Sequence, residues 1–114
     1  MSQHAELTPE RWSQFDRTQQ ILQVAVEMHR ARRSLDPDKM AGLRFAYERV
    51  LRLTDLTIQV QTHRSLRHEL LRWRDVIAEL YLRDAPDRET HEIALRVLLR
   101  LDPGASPQVQ YLCV

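Results

Sequence analysis

The sequence predicts an all-α protein: an up-and-down antiparallel bundle of four main helices, with a short extra helix near the N-terminus. Three observations favour this class. Leu, Ala, Arg, Glu and Gln, which are good helix formers, dominate the composition. The chain has only two glycines and few β-branched runs bounded by turn residues, which argues against a sheet. Apolar residues recur with the period of a helix along most of the chain.

Two separate start signals occur in the N-terminal part of the chain. Thr8 is a candidate helix cap and Pro9 is tolerated at a first helical position. Asp16 followed by Gln19 repeats a capping pattern, so a short helix is expected before the first main helix. That main helix is expected to run to about Ser34. Its predicted apolar face carries Ile21, Leu22, Ala25 and Met28.

The second main helix, between Asp38 and Ile58, is the one around which the others are expected to pack. Asp36 and Pro37 supply its start signals. One face holds Leu43, Ala46, Tyr47, Val50, Leu53, Thr54 and Thr57. Because Phe45 and Leu56 project to the opposite side, this helix is either central in the bundle or covered on that side by another chain.

Two further helices complete the predicted bundle. Thr62 is the candidate cap of the third helix, and the fourth runs from about Arg88 to Leu101. The predicted core stripes are Leu66, Leu70, Trp73, Ile77 and Leu80 on the third helix, and Ala94, Leu95, Leu98 and Leu101 on the fourth. Because the connections are short, helices that follow one another are expected to be antiparallel neighbours.

Composition and charge narrow the class of protein. A net charge of +1 gives no strong field that would draw the protein to nucleic acid or to a membrane. No apolar run approaches the roughly 18 residues of a bilayer span, and the first residues lack a signal-peptide pattern. A cytoplasmic protein with one domain over residues 8–104 is therefore expected. Residues 1–7 are predicted to be a flexible arm and residues 105–114 a tail.

The Arg-rich start of the third helix is the most unusual surface stretch. Arg64, His68 and Arg72 form an outward ladder at four-residue spacing, and Arg67 flanks the apolar stripe. A helix N-terminus already carries a positive partial charge, so arginines placed there are unfavourable unless an anion lies nearby. Free N–H groups and arginines together make a candidate phosphate or nucleic-acid site. The alternative is neutralisation by carboxylates of neighbouring helices, such as Asp55 or Glu48.

A second basic cluster, residues 29–33, closes the first main helix. The helix dipole stabilises cations at a C-terminus, and this effect alone accounts for Arg30 and Arg33 there. If this end lies at the same pole as the start of the third helix, the two clusters merge into one basic patch that favours nucleic acid. The 17 basic residues are all arginine except Lys39. Arginine suits forked contacts with phosphates, although a GC-rich genome gives the same excess.

No catalytic or metal-binding constellation stands out in the sequence. None of the histidines follows a Glu at the three-residue spacing that helical di-iron sites use. His29 and His91 lie on apolar faces, where a hydrogen-bonded core or edge histidine is the common case. Cys113 is the only cysteine, and no glycine-rich phosphate loop occurs. We therefore expect no catalytic residues, no metal and no cofactor.

Three stretches together resemble a family of small, uncharacterised bacterial helical proteins. They are LTPERWSQF (residues 7–15), AYERVLRLTDLT (residues 46–57) and RHELLRWRDVIAELY (residues 67–81). Members share a Trp-containing start, a core helix of the form ER-x-L-x-L-x-DLT and an Arg-rich helix after it. The resemblance covers most of the chain up to about residue 83. It implies a helical fold and a bacterial source, and it implies no activity.

The favoured interpretation is a small non-catalytic interaction module that self-associates or binds a protein partner. Its candidate interface is the outer side of the second main helix, formed by Phe45, Arg49, Arg52 and Leu56. The first alternative is a nucleic-acid or phosphate-ligand binding protein that uses the basic residues of the two clusters. The second alternative is an enzyme of unrecognised type.

Overall fold

The structure, a computed structural model, describes residues 7–105. Five α-helices follow one another along them: α1 (Pro9–Trp12), α2 (Arg17–Ala31), α3 (Met40–Val60), α4 (Arg64–Leu82) and α5 (Arg88–Arg100). Two short 3-10 turns, Arg32–Ser34 and Pro37–Lys39, link α2 to α3. No strand occurs among the described residues. The predicted all-α class is confirmed.

The four long helices form a ring in which neighbours run antiparallel. Near the start of α2, the Thr18 hydroxyl donates to Asp102 Oδ2 beyond the end of α5, at 2.5 Å. Near the other end of α2, Arg32 Nε donates to Glu92 Oε1 in the first turns of α5, at 2.7 Å. Between α3 and α4, Arg44 Nη2 donates to the Arg83 carbonyl at 3.1 Å, which brings the start of α3 to the end of α4.

These contacts define two ends of the bundle. The first pole carries the starts of α2 and α4 and the ends of α3 and α5. The second pole carries the starts of α3 and α5 and the ends of α2 and α4. The direction of the chain thus alternates from helix to helix around the ring, which is the up-and-down arrangement expected for short connections.

Local capping explains where the first helices begin. The Thr8 hydroxyl accepts from Arg11 N at 3.2 Å and starts α1. Asp16 Oδ1 accepts from Gln19 N at 2.8 Å, and Gln19 Oε1 accepts from Asp16 N at 2.9 Å. This reciprocal pair is a complete capping box, and it begins α2 as a helix separate from α1. The predicted short extra helix is confirmed.

Two predicted start signals are displaced in the structure. Asp36 accepts from Asp38 N at 2.9 Å and caps the 3-10 turn that precedes α3, so α3 itself begins only at Met40. Thr62 was the predicted cap of α4, and this is wrong. His63 takes that position, because its Nδ1 accepts from Leu66 N at 3.4 Å.

The helix α3 lies against three other helices, α1, α2 and α4. Its side chains Leu43, Val50 and Leu53 are at most 1% exposed, as expected for the central element. Trp12 fastens α1 to it, since the indole Nε1 donates to the Thr57 hydroxyl at 3.0 Å. Leu7, assigned to the flexible arm from sequence, is instead partly buried against the core. The rest of that arm, residues 1–6, lies outside the described residues, as do residues 106–114 of the tail.

A buried hydrogen-bonded chain links three helices across the interior. The Tyr47 hydroxyl on α3 lies 2.7 Å from His91 Nδ1 on α5. His91 Nε2 lies 2.9 Å from the Met28 carbonyl oxygen on α2. A carbonyl only accepts, so Nε2 carries the proton, and in the neutral ring Nδ1 accepts from the tyrosine. His91 is fully buried, and the prediction of a hydrogen-bonded core histidine is confirmed.

Burial favours the neutral forms of both side chains. The pKa of His91 is lowered, mainly by burial and against the opposing effect of the hydrogen bond to the Met28 carbonyl. The pKa of Tyr47 is raised, again mainly by burial. Near pH 7 both side chains are therefore neutral, and the Tyr47 hydroxyl donates its hydrogen bond to His91.

Replacing Tyr47 should show how much this hydrogen bond contributes to stability. Tyr47→Phe leaves the buried His91 Nδ1 without its donor, and an unsatisfied buried polar atom costs about 1–3 kcal/mol. We expect the free energy of unfolding, measured by urea denaturation, to fall by that amount. Tyr81→Phe is the matched control, because the Tyr81 hydroxyl has no partner among residues 7–105 and its removal should change stability little. An equal decrease in both variants would contradict this account.

Candidate interaction surfaces

The predicted interface on α3 separates into an exposed and a buried part. Phe45 is 55% exposed, whereas Leu56 is only 8% exposed and packs within the chain. Leu56 is therefore not available as an interface residue. Arg52 is exposed and Arg49 is half-buried. Only part of the predicted surface can meet another molecule.

Phe45 already has an intramolecular partner. The guanidinium carbon of Arg49 lies 5.1 Å from the centre of the Phe45 ring, a cation–π distance. The same guanidinium pairs with the buried carboxylate of Glu27 on α2, with Nη2 and Oε2 at 3.0 Å. Arg30 also pairs with Glu27 at 3.0 Å. The Phe45 ring thus helps to hold the arginine that neutralises a buried acid, which gives this aromatic side chain a structural role.

The Arg-rich start of α4 lies at the first pole. Arg64, Arg67 and His68 are exposed, and none has an ion-pair partner among residues 7–105. Asp55, the candidate for neutralising them, pairs instead with Arg74, whose Nε lies 2.5 Å from Oδ1. The first turn of α4 contains no acidic residue. The structure therefore leaves Arg64 and Arg67, with His68 beside them, at the helix N-terminus without an acidic partner among the described residues.

The second basic cluster lies at the other end of the bundle. Arg30 pairs with Glu27, and Arg32 pairs with Glu92 of α5. Arg33 is exposed within the first 3-10 turn, Arg32–Ser34, at the second pole. The expectation that this cluster merges with the start of α4 is wrong, because the end of α2 and the start of α4 are separated by the length of α3. Alternating helix directions place them at opposite poles.

His29 stands beside this second cluster. Its Nδ1 lies 3.3 Å from Arg32 Nη1. Burial and the neighbouring charges of Arg32 and Arg33 lower its pKa, against the raising effect of Glu92. The ring is therefore an edge histidine that packs among arginines.

A shallow groove of about 370 Å³ follows the outer side of α3 toward α4. Its lining mixes charged and apolar side chains: Glu48, Leu51, Arg52, Asp55, Leu56, Gln59 and Tyr81. The acids and the arginine lie at the solvent-exposed rim. This composition is typical of an ordinary solvated face between two helices.

A second groove of about 320 Å³ lies between α4 and α5 and is far more apolar. Val76, Ile93 and Val97 line it and are 36%, 46% and 39% exposed. Trp73 and Ala94 form its floor, and the indole Nε1 donates to the Ala94 carbonyl at 2.8 Å. We call Val76, Ile93 and Val97, with this floor, the α4/α5 groove. Three neighbouring branched side chains at the surface form a contiguous apolar patch, which marks interaction sites on many proteins.

Sequence reasoning missed the α4/α5 groove. The predicted core stripe of the fourth helix consists of Ala94, Leu95, Leu98 and Leu101, and it leaves Ile93 and Val97 unassigned. A usable signal was present, since Ile93 and Val97 are four residues apart and therefore share a second face of the same helix. On α4, Val76 stands beside the core residue Ile77 and widens the apolar face in the same way.

Other kinds of site receive no support from the part of the chain that the structure describes. No group of three or more histidine, cysteine or acidic side chains lies together there in an arrangement that would hold a metal ion. No described helix combines the length and the apolar character needed to cross a bilayer.

Comparison with family models, with curated proteins and with solved structures gives no match. The resemblance to small bacterial helical proteins therefore stays a prediction from the three sequence stretches. Only the surfaces of this chain indicate what it does.

Proposed function

We propose that this protein is a small, non-catalytic interaction module of the bacterial cytoplasm that binds an apolar helical surface in its α4/α5 groove. The observation that supports the proposal is the exposure of Val76, Ile93 and Val97 around a tryptophan floor. Removing such side chains from water gives association its main driving force. Helices offer matching apolar side chains at three- and four-residue spacing, which suits a groove between two helices.

The α4/α5 groove supports this function better than the Phe45 side does. Phe45 is a single exposed ring with Arg49 stacked on it, and Leu56, the other apolar residue predicted for that side, is buried. The groove instead presents several exposed apolar side chains next to one another. The proposal thus keeps the interaction module expected from sequence and moves its surface from α3 to α4 and α5.

Site-specific photo-crosslinking in living cells tests this proposal. A photo-crosslinking amino acid in place of Ile93 should give an adduct of defined mass, because the bound surface lies within reach of the groove. The same group in place of Gln23, an exposed residue of α2, is the matched control and should give none. A third variant carries the photo-crosslinking amino acid in place of Phe45.

Each result of that experiment bears on the proposal. An adduct from position 93 alone supports the groove as the interaction surface. An adduct from position 45 without one from position 93 would return the interface to α3. The absence of adducts at both positions would contradict the interaction module altogether.

A second function is favoured by one specific observation: Arg64 and Arg67 at the start of α4 are exposed and have no ion-pair partner among residues 7–105. We propose as the alternative that Arg64, Arg67 and Arg72, with His68, bind a nucleic-acid backbone or another phosphate at the first pole. The free N–H groups of the first turn add to the attraction for an anion. Arg30 and Arg33, at the opposite pole, take no part in such a site.

Salt-dependent binding to a short oligonucleotide tests this alternative. The variant Arg64→Ala, Arg67→Ala should weaken binding and reduce the slope of log affinity against log salt by about one for each phosphate that the protein no longer neutralises. The variant Arg30→Ala, Arg33→Ala removes the same formal charge at the other pole and should change both quantities much less. Equal effects of the two variants would show that binding follows net charge and that no site exists at α4.

A further inference from the structure

The exposed charges along the α4/α5 groove divide by sign. Arg96 and Arg100 lie on the outer edge of α5 toward the first pole, and Glu89 lies on the same edge toward the second pole. On α4, Glu79 lies toward the second pole. None of these four side chains has an ion-pair partner among residues 7–105. The groove is therefore basic at one end and acidic at the other.

The remaining charges beside the groove do not change this division. Glu69 and Arg72 are three residues apart on α4 and pair with each other, with Oε1 and Nη1 at 3.7 Å. Arg83 pairs with Asp87 at the second pole, with Nη1 and Oδ2 at 2.9 Å. Each of these pairs has no net charge, so the unpaired charges set the field of the surface.

Building on the function proposed above, we propose that the surface bound in the α4/α5 groove is the same groove of a second copy of this chain. The two copies form an antiparallel dimer whose twofold axis lies in the interface and crosses α5 at the level of Ile93. A twofold interface is self-complementary, because each patch meets its own copy in reverse order. A surface that is basic at one end and acidic at the other satisfies this condition only when the helices run antiparallel.

This axis brings opposite charges together on α5. A helix rises 1.5 Å per residue, so Glu89 of the second copy lies about 6 Å along the helix from the axis. Arg96 and Arg100 of the first copy lie about 4.5 Å and 10.5 Å from the axis in the same direction. The carboxylate thus falls between the two guanidinium groups, and the symmetric set forms at the other end.

The apolar side chains and α4 fit the same arrangement. Ile93 packs against Ile93 of the second copy at the axis. Val97 packs against the part of the second copy's α5 that precedes Ile93. On α4 the rotation brings Glu79, at the acidic end of the groove, toward the basic first-pole end of the second copy. A parallel dimer would instead bring the basic ends of the two grooves together, which disfavours that orientation through repulsion between like charges.

Charge reversal gives a direct test of the antiparallel dimer. The wild-type chain should change from monomer to dimer with rising concentration in sedimentation equilibrium. The Glu89→Arg variant carries only positive charge on this edge of α5, and the Arg96→Glu, Arg100→Glu variant carries only negative charge. Each variant alone should dimerise roughly tenfold more weakly than the wild-type chain, because like charges then face each other. Mixed together, they should form a heterodimer at least as stable as the wild-type dimer, because every contact is then attractive.

Two further variants control the experiment. Glu48→Arg makes the same charge change on an exposed site of α3 and should leave dimerisation unchanged. Ile93→Asp should abolish it, because a charge is placed at the axis. All substituted positions are exposed, and far-UV circular dichroism checks that each variant folds.

The outcomes separate this inference from the function on which it rests. A wild-type chain that stays monomeric at every concentration, or a mixture that does not associate, would overturn the second copy as the bound surface. If photo-crosslinking at position 93 then still gives an adduct of another defined mass, the interaction module stands and its partner is a different protein. Crosslinks between two copies of the chain support both.

Discussion

The hydrogen-bonded chain from Tyr47 through His91 to the Met28 carbonyl is the constraint on which the arrangement of the bundle depends. It joins α3 to α5 across the middle of the ring and α5 to α2 at its edge. Hydrophobic packing alone is tolerant of sliding and rotation, since it has no direction. A buried polar group that must be satisfied fixes both the level and the rotation of its helix.

The rotation of α5 in turn decides which of its residues face water. With His91 turned to the interior, Ala94 and Leu98 lie in the core, and Ile93 and Val97 must lie toward α4 and the solvent. The indole of Trp73 fixes α4 beside α5 through the Ala94 carbonyl. The apolar surface of α5 is wider than the core can cover. Because His91 fixes the rotation of α5, the uncovered part of that surface faces the groove.

A second consequence concerns charge. The same rotation places Glu89, Arg96 and Arg100 on one outer edge of α5, separated by sign along the helix. Helix polarity favours this order, since an acid in the first turn and a base in the last turn both interact well with the dipole. A charge order that stabilises a single helix therefore also gives a surface that is complementary to its own antiparallel copy.

The sequence was sufficient to predict the helices, their order and the core face of α3. Caps such as Asp16 with Gln19 and breaks at proline are local signals, and the apolar period is regular. Two things escaped prediction because they depend on contacts distant in sequence. The Glu27–Arg49–Phe45 stack requires α2 beside α3 in a particular register. The groove requires α4 beside α5: the pattern of α5 predicts its core face correctly, but it does not tell that Ile93 and Val97 lie next to Val76 of α4.

The error about the basic clusters has a different origin. Alternating directions already require the end of α2 and the start of α4 to lie at opposite poles, so the topology that was correctly predicted excludes their merging. Arg64 and Arg67 remain exposed at the first pole, as the sequence indicated. Their lack of an acidic partner among residues 7–105 could be known only once Asp55 was seen to pair with Arg74.

The proposed dimer requires Val76, Ile93 and Val97 to be open to solvent in a single chain and covered by a second one. Methyl-group NMR with a soluble paramagnetic agent measures this directly at low and high protein concentration. We expect strong relaxation enhancement of these methyl groups in dilute solution and protection in concentrated solution, with Leu82, which is 75% exposed, accessible throughout. Protection of all three in dilute solution would contradict the fold around the groove. Accessibility of all three at every concentration would contradict the second chain.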